Sequence, residues 1–202
     1  TYHKLNSINY TPQAYANRKA SKFFETINNA EIYWYDGHGG VDDFLRNQTY
    51  FDLSPGASDR IYSDNISDLS SAIDAKFVMI IGSFSGDNST TLTNCPLNNW
   101  LSKAFIDKGA DCYLSFLGVN ATTVCTSCPC SNTDDVYSPY VDDFNTCFWG
   151  NVSVGDTILT AKNKADTTSC VPQTCGPSNN ESCAHPLLVE RFLGSCSRTL
   201  IK

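Results

Sequence analysis

The sequence predicts an α/β fold with a mainly parallel sheet flanked by helices, because strand-sized apolar segments alternate with helical patterns along the chain. A second feature is the presence of ten cysteines in 202 residues, which indicates an insertion and a C-terminal tail stapled by disulfides. A third is the presence of seven Asn-x-Ser/Thr sequons, which are acceptors of N-linked glycan. Together these features predict an extracellular, disulfide-stapled glycoprotein.

The first two predicted elements are a helix and a strand. Thr11 and Pro12 form a typical helix start, with a capping hydroxyl followed by proline at the first helical position. Apolar residues then recur at helical spacing, which predicts a helix over residues 12 to 29. These apolar residues are Ala16, Ala20, Phe23 and Ile27. The next segment, Glu31-Ile-Tyr-Trp-Tyr35, is rich in aromatic and β-branched residues, so it predicts a strand.

The middle of the chain continues the alternation. The segment Phe77-Val-Met-Ile-Ile81 is apolar on both faces, as expected of a central parallel strand covered by helices. A second helix is predicted to end at Gly109, in the C-terminal cap position. Its apolar positions are Leu97, Leu101, Ala104 and Phe105. A third strand is predicted over residues 111 to 117.

The last third of the chain contains one predicted helix between two irregular regions. Ser153-x-x-Asp156 resembles a capping box, and the following apolar positions share one face. These positions are Val154, Ile158, Ala161 and Ala165. Residues 119 to 150 and 166 to 202 lack periodicity, although 187 to 189 and 191 to 193 are strand-like. We interpret residues 1–165 as one domain and 166–202 as a Cys-rich extension packed on it; a separate small tail domain is the alternative.

The cysteines are expected to form up to five disulfides. Metal binding is the alternative, because Cys125-x-x-Cys128-x-Cys130 has close thiol spacing. The sequons favour disulfides in an extracellular or cell-surface protein, and we expect no metal and no cofactor. The cysteines are Cys95, Cys112, Cys125, Cys128, Cys130, Cys147, Cys170, Cys175, Cys183 and Cys196. The sequons begin at Asn9, Asn47, Asn65, Asn88, Asn120, Asn151 and Asn180.

Charge and hydropathy exclude two classes of partner. The formal net charge is −7 and the pI is near 4.8, which argues against nucleic acid, since phosphate binding requires clustered Lys and Arg. No apolar run approaches the roughly 20 residues that a transmembrane helix requires.

Candidate chemistry lies just past two of the predicted strands. Parallel α/β sheets place their sites at the carboxyl ends of strands. His38 follows the first strand between two glycines, and Ser83 follows the second. Such a pair could act as base and nucleophile if the two side chains met. Taken singly, each is more often an ordinary turn histidine or strand-end serine.

The two segments resemble the caspase-like cysteine peptidases, which include gingipains, clostripain, legumain and metacaspases. Gly37-His38-Gly39 is similar to their catalytic-histidine motif. Residues 77 to 86 are similar to the strand that ends in a small residue and the nucleophilic Cys, with Gly82 as the small residue and Ser83 at the Cys position. Residues 108 to 111, Phe148-Trp149 and the helix at 155 to 165 are similar to later elements of the family. The resemblance covers residues 12 to 165.

The resemblance implies a caspase-like sheet in which His38 and Ser83 form a vestigial or altered dyad. Backbone N–H groups at Gly39 and Ser83 are then candidates for an oxyanion hole. A serine hydroxyl is far less acidic than a thiol, so His38 would have to remove its proton during attack. Serine hydrolases orient the histidine with a carboxylate, and the sequence alone nominates none. A natural loss of the Cys and a deliberate inactivation would produce the same residue.

Three functions are consistent with these observations. The first is a secreted pseudo-peptidase that acts as a structural or binding module. The second is a caspase-like endopeptidase present as a Cys-to-Ser variant, or a serine-dyad hydrolase. The third is an unrelated adhesin or lectin-like glycoprotein.

Only Tyr2 to Tyr10 precedes the first helix, where the family has another strand. We therefore also expect a sheet edge that could bind a second copy or another surface protein.

Overall fold

The structure is a computed structural model that describes residues 5, 7–14, 19–42, 48–54, 59–82, 100–116, 139–165 and 190–201. The chain divides into two compact units. The sheet unit comprises Tyr15–Asn120 and Val189–Cys196. The helical unit comprises Thr1–Ala14, Ala121–Leu188 and Ser197–Lys202. The division into residues 1–165 and 166–202 stays a prediction.

The described elements of the sheet unit mix helices and strands. In chain order they are α1 (Ala20–Ile27), β1 (Ile32–Asp36), β2 (Gly39–Asp42), β3 (Gln48–Asp52), β4 (Arg60–Tyr62), α2 (Ser63–Ser67), β5 (Phe77–Ile81), α3 (Leu101–Asp107), β6 (Cys112–Phe116) and β7 (Glu190–Gly194). The described helices of the helical unit are α4 (Pro139–Ser153) and α5 (Ile158–Ala165).

A four-stranded sheet with the order β1-β5-β6-β7 forms the centre of the sheet unit. The strands β1, β5 and β6 are parallel, and β7 runs antiparallel to β6. The predicted α/β class with a parallel sheet is therefore confirmed. All five residues of β5 are buried, as in a central parallel strand whose two faces are both covered. That position explains why its sequence is apolar at every residue.

One face of this sheet packs into an aromatic core. Phe23 of α1 makes an edge-to-face contact with Phe51 of β3, with ring centroids 5.6 Å apart. On the same core, Phe105 of α3 stacks on Tyr113 of β6 at 5.5 Å. Aromatic pairs in such arrangements contribute about 0.5–1.5 kcal/mol beyond their buried area. The predicted apolar faces of α1 and α3 are thus used to cover the sheet.

A second, antiparallel sheet has the order β2-β3-β4. The burial of β3 alternates, with Thr49 and Phe51 fully buried and the residues between them half-buried. The sequence analysis did not predict this sheet. It matters for function because β2 begins at Gly39, directly after His38.

The start of α1 corrects the sequence prediction. Residues 11–14 are not helical and Lys19 is the N-cap, so Thr11-Pro12 does not begin the helix. The backbone N–H of Ala20 instead donates to the carboxylate of Asp59, at 3.3 Å. A carboxylate brought in by the tertiary fold satisfies the helix terminus, which a local capping rule cannot foresee.

The end of α3 confirms the prediction at Gly109. This residue has φ of +113°, a conformation that glycine adopts without steric cost. Its N–H donates to Ile106, and the N–H of Ala110 donates to Phe105, each at 3.0 Å. This pair of bonds is a Schellman motif. Leu97, which the sequence assigned to the same helix, lies outside the described residues.

The helical unit corrects two further predictions. Residues 139–150, expected to be irregular, belong to α4. Ser153 ends α4 and does not cap the next helix, because its hydroxyl donates to the carbonyl of Gly150. Thr157 is the cap, since its Oγ1 accepts from the N–H of Thr160 at 3.1 Å. Val154 is 77% exposed, contrary to the prediction, whereas the other three positions are buried as expected.

Cys112 and Cys196 form a disulfide that joins the start of β6 to the chain just after β7. Cys147 is disulfide-bonded as well, and every remaining cysteine of the chain lies outside the described residues. Within the described part of the chain, no group of three or more His, Cys, Asp and Glu residues could hold a metal ion. Likewise, none of the helices described there combines the length and hydropathy needed to cross a membrane.

Candidate functional site

The carboxyl ends of β1 and β5 lie side by side. Tyr35 is paired with Ile80 and Asp36 with Ile81 in parallel register. The N–H of Gly37 continues the ladder by donating to the carbonyl of Ile81, at 3.0 Å. The strands that precede His38 and Ser83 are therefore neighbours that end at the same level, as the sequence predicts.

The segment that carries His38 lies directly against Gly82. His38 is exposed, whereas Gly82 is buried. A Cβ atom on Gly82 would lie 3.2 Å from the backbone N of Gly39 and 3.3 Å from the carbonyl oxygen of Gly37. Glycine at position 82 thus permits this close approach of the two strand ends. Ser83 follows Gly82 but lies outside the described residues, so the meeting of its side chain with His38 stays a prediction.

Gly39 directs its backbone toward this strand end. The N–H of Asp52 donates to the carbonyl of His38 at 2.9 Å, and Gly39 is opposite Phe51 in the antiparallel register. Because backbone groups of successive residues point to alternate sides of a strand, the N–H of Gly39 points away from β3. This orientation agrees with the distance of 3.2 Å between the backbone N of Gly39 and a Cβ atom placed on Gly82. The role of Gly39 in an oxyanion hole remains a prediction.

The hydroxyl of Tyr35 holds this turn in place. It donates to the carbonyl of His38 at 2.9 Å and also to the carbonyl of Asp52. Burial raises the pKa of Tyr35, and the carboxylates of Asp52 and Asp36 raise that pKa further. The phenol therefore stays protonated and able to donate at neutral pH, which links β1 to both strands of the adjoining hairpin.

Asp52 is a candidate site residue that the sequence analysis missed. It is opposite Arg60 in the register of β3 and β4, and its Oδ1 is 3.1 Å from Nε of Arg60. Burial raises the pKa of Asp52; the charge and hydrogen bond of Arg60 lower it, and the charge of His38 also lowers it. The backbone places Asp52 beside His38, because the N–H of Asp52 donates to the carbonyl of His38 at 2.9 Å.

The carboxylates that are near His38 in sequence are placed differently. Asp36 ends β1, and Asp43 lies outside the described residues. Asp42 ends β2, where its Oδ2 accepts from the hydroxyl of Tyr62 at 3.2 Å. It is four residues from His38, which corresponds to roughly 13 Å along an extended strand.

The described sequons differ in their environments. Asn9 is exposed and has φ of 64°. Asn65 lies in α2, where its Oδ1 accepts from the N–H of Tyr62 at 3.0 Å. Asn151 lies in α4, where its Nδ2 donates to the carbonyl of Cys147 at 2.8 Å. The other predicted acceptors, which are Asn47, Asn88, Asn120 and Asn180, lie outside the described residues.

Comparison with models of known protein families finds no match, and comparison with curated protein sequences finds none either. The resemblance to the caspase-like peptidases therefore rests on the residues of this chain. The arrangement itself can do acid–base chemistry, because an exposed imidazole stands at a strand end with a carboxylate nearby.

Proposed function

We propose that this chain is a secreted or cell-surface glycoprotein with a caspase-like peptidase fold, which has lost peptidase activity and acts as a structural or binding module. The observation that carries the proposal is the contact between two strand ends. Gly37 and Gly39, which flank His38 after β1, pack against Gly82 after β5, and Ser83 comes next in the chain. In the caspase-like family the catalytic histidine and cysteine follow two neighbouring strands in this same order.

The disulfides support an extracellular location. Cys112 and Cys196 are paired, and Cys147 is also oxidised. Stable disulfides form in the secretory pathway and persist outside the cell, whereas reducing systems keep cytosolic thiols free. The seven sequons agree with the same location.

The loss of activity follows from the residue at position 83. A cysteine thiol has an ordinary pKa near 8.5 and is a strong nucleophile once ionised. The hydroxyl of Ser83 ionises far less readily and requires a base at the moment of attack. A dyad that evolved around a thiolate is therefore expected to be silent with serine.

Asp52 favours a second candidate, a hydrolase. A carboxylate close to a histidine base is the arrangement that serine hydrolases use to stabilise the protonated imidazole. The chain would then be a caspase-like endopeptidase that carries serine in place of cysteine, or an unusual serine hydrolase.

The two candidates differ in how they respond to a restored thiol. The experiment compares the protein, its Ser83→Cys variant and a Ser83→Cys/His38→Gln control on a mixed peptide library, with cleavage products read by mass spectrometry. The binding-module proposal predicts no cleavage by any of the three, because a surface that serves binding no longer has to hold a peptide against residue 83. Cleavage by Ser83→Cys that is lost in the control would support the endopeptidase, and cleavage by the protein itself would overturn the loss of activity.

A further inference from the structure

We propose that Asp52 is the positioning residue for His38, and that its carboxylate stabilises the imidazole when the latter carries a positive charge. This inference rests on the proposed role of His38 in the dyad. It adds the acidic member that neither the sequence nor the family resemblance supplies.

The backbone places the two residues opposite each other. Gly39 is paired with Phe51, so the next position of the ladder sets His38 against Asp52. The hydrogen bond from the N–H of Asp52 to the carbonyl of His38, at 2.9 Å, continues the ladder to this position. Residues directly opposite in an antiparallel pair have Cβ atoms about 4.5–5.5 Å apart and side chains on the same face.

Arg60 lies on the same face of the sheet as the side chain of Asp52. Asp52 is opposite Arg60 on its other side, and the two side chains are in contact at 3.1 Å. The cross-strand register therefore sets His38, Asp52 and Arg60 in one row across the sheet. Arg60 in turn lies over the ring of Tyr50, 4.1 Å from its centroid, which holds the far end of the row.

The row is fixed by contacts on both sides. Tyr35 donates to the carbonyls of both His38 and Asp52, so these two residues are held together by one hydroxyl. The side chain of Asp52 is only 16% exposed, which limits screening of its charge by water. The contact with Arg60 also fixes the carboxylate of Asp52, and a positioning residue requires a locked side chain.

The chemical consequence concerns the proton that His38 would accept as a base. When His38 accepts a proton, its ring gains one positive charge, and the negative charge of Asp52 lowers the free energy of that state. The charged and titratable groups around Asp52 are Arg60 from β4 and His38, which lower its pKa, together with Tyr50 and Tyr35, whose pKa values its charge raises. Burial raises the pKa of Asp52, and Arg60 opposes that rise, which favours the ionised carboxylate that this role requires.

The first test measures this coupling in the protein as it exists. The carboxyl carbon of Asp52 is titrated by NMR in the protein, in His38→Gln and in Lys76→Gln. Lys76 precedes β5, at the opposite end of the sheet from His38, so its variant removes one cation as a control. We expect His38→Gln to raise the pKa of Asp52 and Lys76→Gln to leave that pKa unchanged. An unchanged Asp52 titration in His38→Gln would overturn the inference, whatever the enzymatic activity.

The second test uses the Ser83→Cys variant and two matched substitutions on one sheet. Asp52→Asn is expected to lower kcat/KM by about tenfold or more and to alter its pH profile, since the base loses its stabilising charge. Asp42→Asn removes a carboxylate from the other end of β2 and is expected to leave both unchanged. Equal losses in the two variants would count against a positioning role. If Ser83→Cys cleaves nothing, the endopeptidase candidate fails, and the titration decides the inference.

Discussion

Replacement of Gly82 by alanine tests the packing of the two strand ends. The added methyl group would lie 3.2 Å from the N of Gly39 and 3.3 Å from the carbonyl oxygen of Gly37. Both neighbours are backbone atoms, so the His38 segment or the end of β5 has to shift by a few tenths of an ångström. Overpacking of this kind costs about 1–3 kcal/mol. The reduced freedom of the unfolded chain returns about 0.4–1 kcal/mol, which leaves a net loss of about 1.3 kcal/mol at the middle of both ranges.

Gly150 offers a matched control for the same substitution. It lies inside α4, and a Cβ atom there would meet no atom within 4 Å. Gly150→Ala should therefore stabilise the protein by about 0.5–1 kcal/mol, because alanine is the better helix former. Urea unfolding without reductant, followed by tryptophan fluorescence, measures both variants. A Gly82→Ala variant as stable as the original protein would refute the close packing of the strand ends.

Three further predictions follow from single contacts. Removal of the disulfide in Cys112→Ser/Cys196→Ser should cost about 2–5 kcal/mol of unfolding free energy, and a change below about 1 kcal/mol in urea unfolding would contradict its structural role. Arg60→Met should raise the pKa of Asp52, which burial already holds above its ordinary value of 3.8. A raised carboxyl pKa contributes stability that is present below 3.8 and is lost as the pH rises through the folded-state value. The variant should therefore lose more stability at neutral pH than at pH near 3. A larger loss at pH near 3 would contradict the expected direction of the pKa change. Asn151 should carry no glycan, because the nitrogen that would accept it is hydrogen-bonded within α4; glycopeptide mapping that finds it occupied would contradict this.

The parts of the fold predicted well are those with a local signal. Strand β5 is apolar at every position, which is typical of a central parallel strand. Gly109 ends α3 as predicted, since a left-handed residue at a helix end is a property of a few neighbouring positions. The alternation of helices and strands predicts a mainly parallel sheet, and β1 and β5 are parallel neighbours in it.

The parts that were missed depend on contacts between distant residues. Asp59 satisfies the first N–H of α1 from 39 positions away, so the local signal at Thr11 and Pro12 was misleading. Asp52 lies opposite His38 only because β3 runs back alongside β2. No sequence pattern states which strand β3 pairs with.

The central claim is that His38 and residue 83 meet at the ends of β1 and β5. Alkylation by iodoacetamide tests it directly, with the rate at residue 83 followed by peptide mapping in Ser83→Cys and in Ser83→Cys/His38→Gln. If the two side chains meet, His38 lowers the thiol pKa, and each unit of lowering raises the thiolate fraction tenfold at about pH 6. We therefore expect alkylation to be about tenfold faster, or more, when His38 is present. Equal rates in the two variants would contradict the claim.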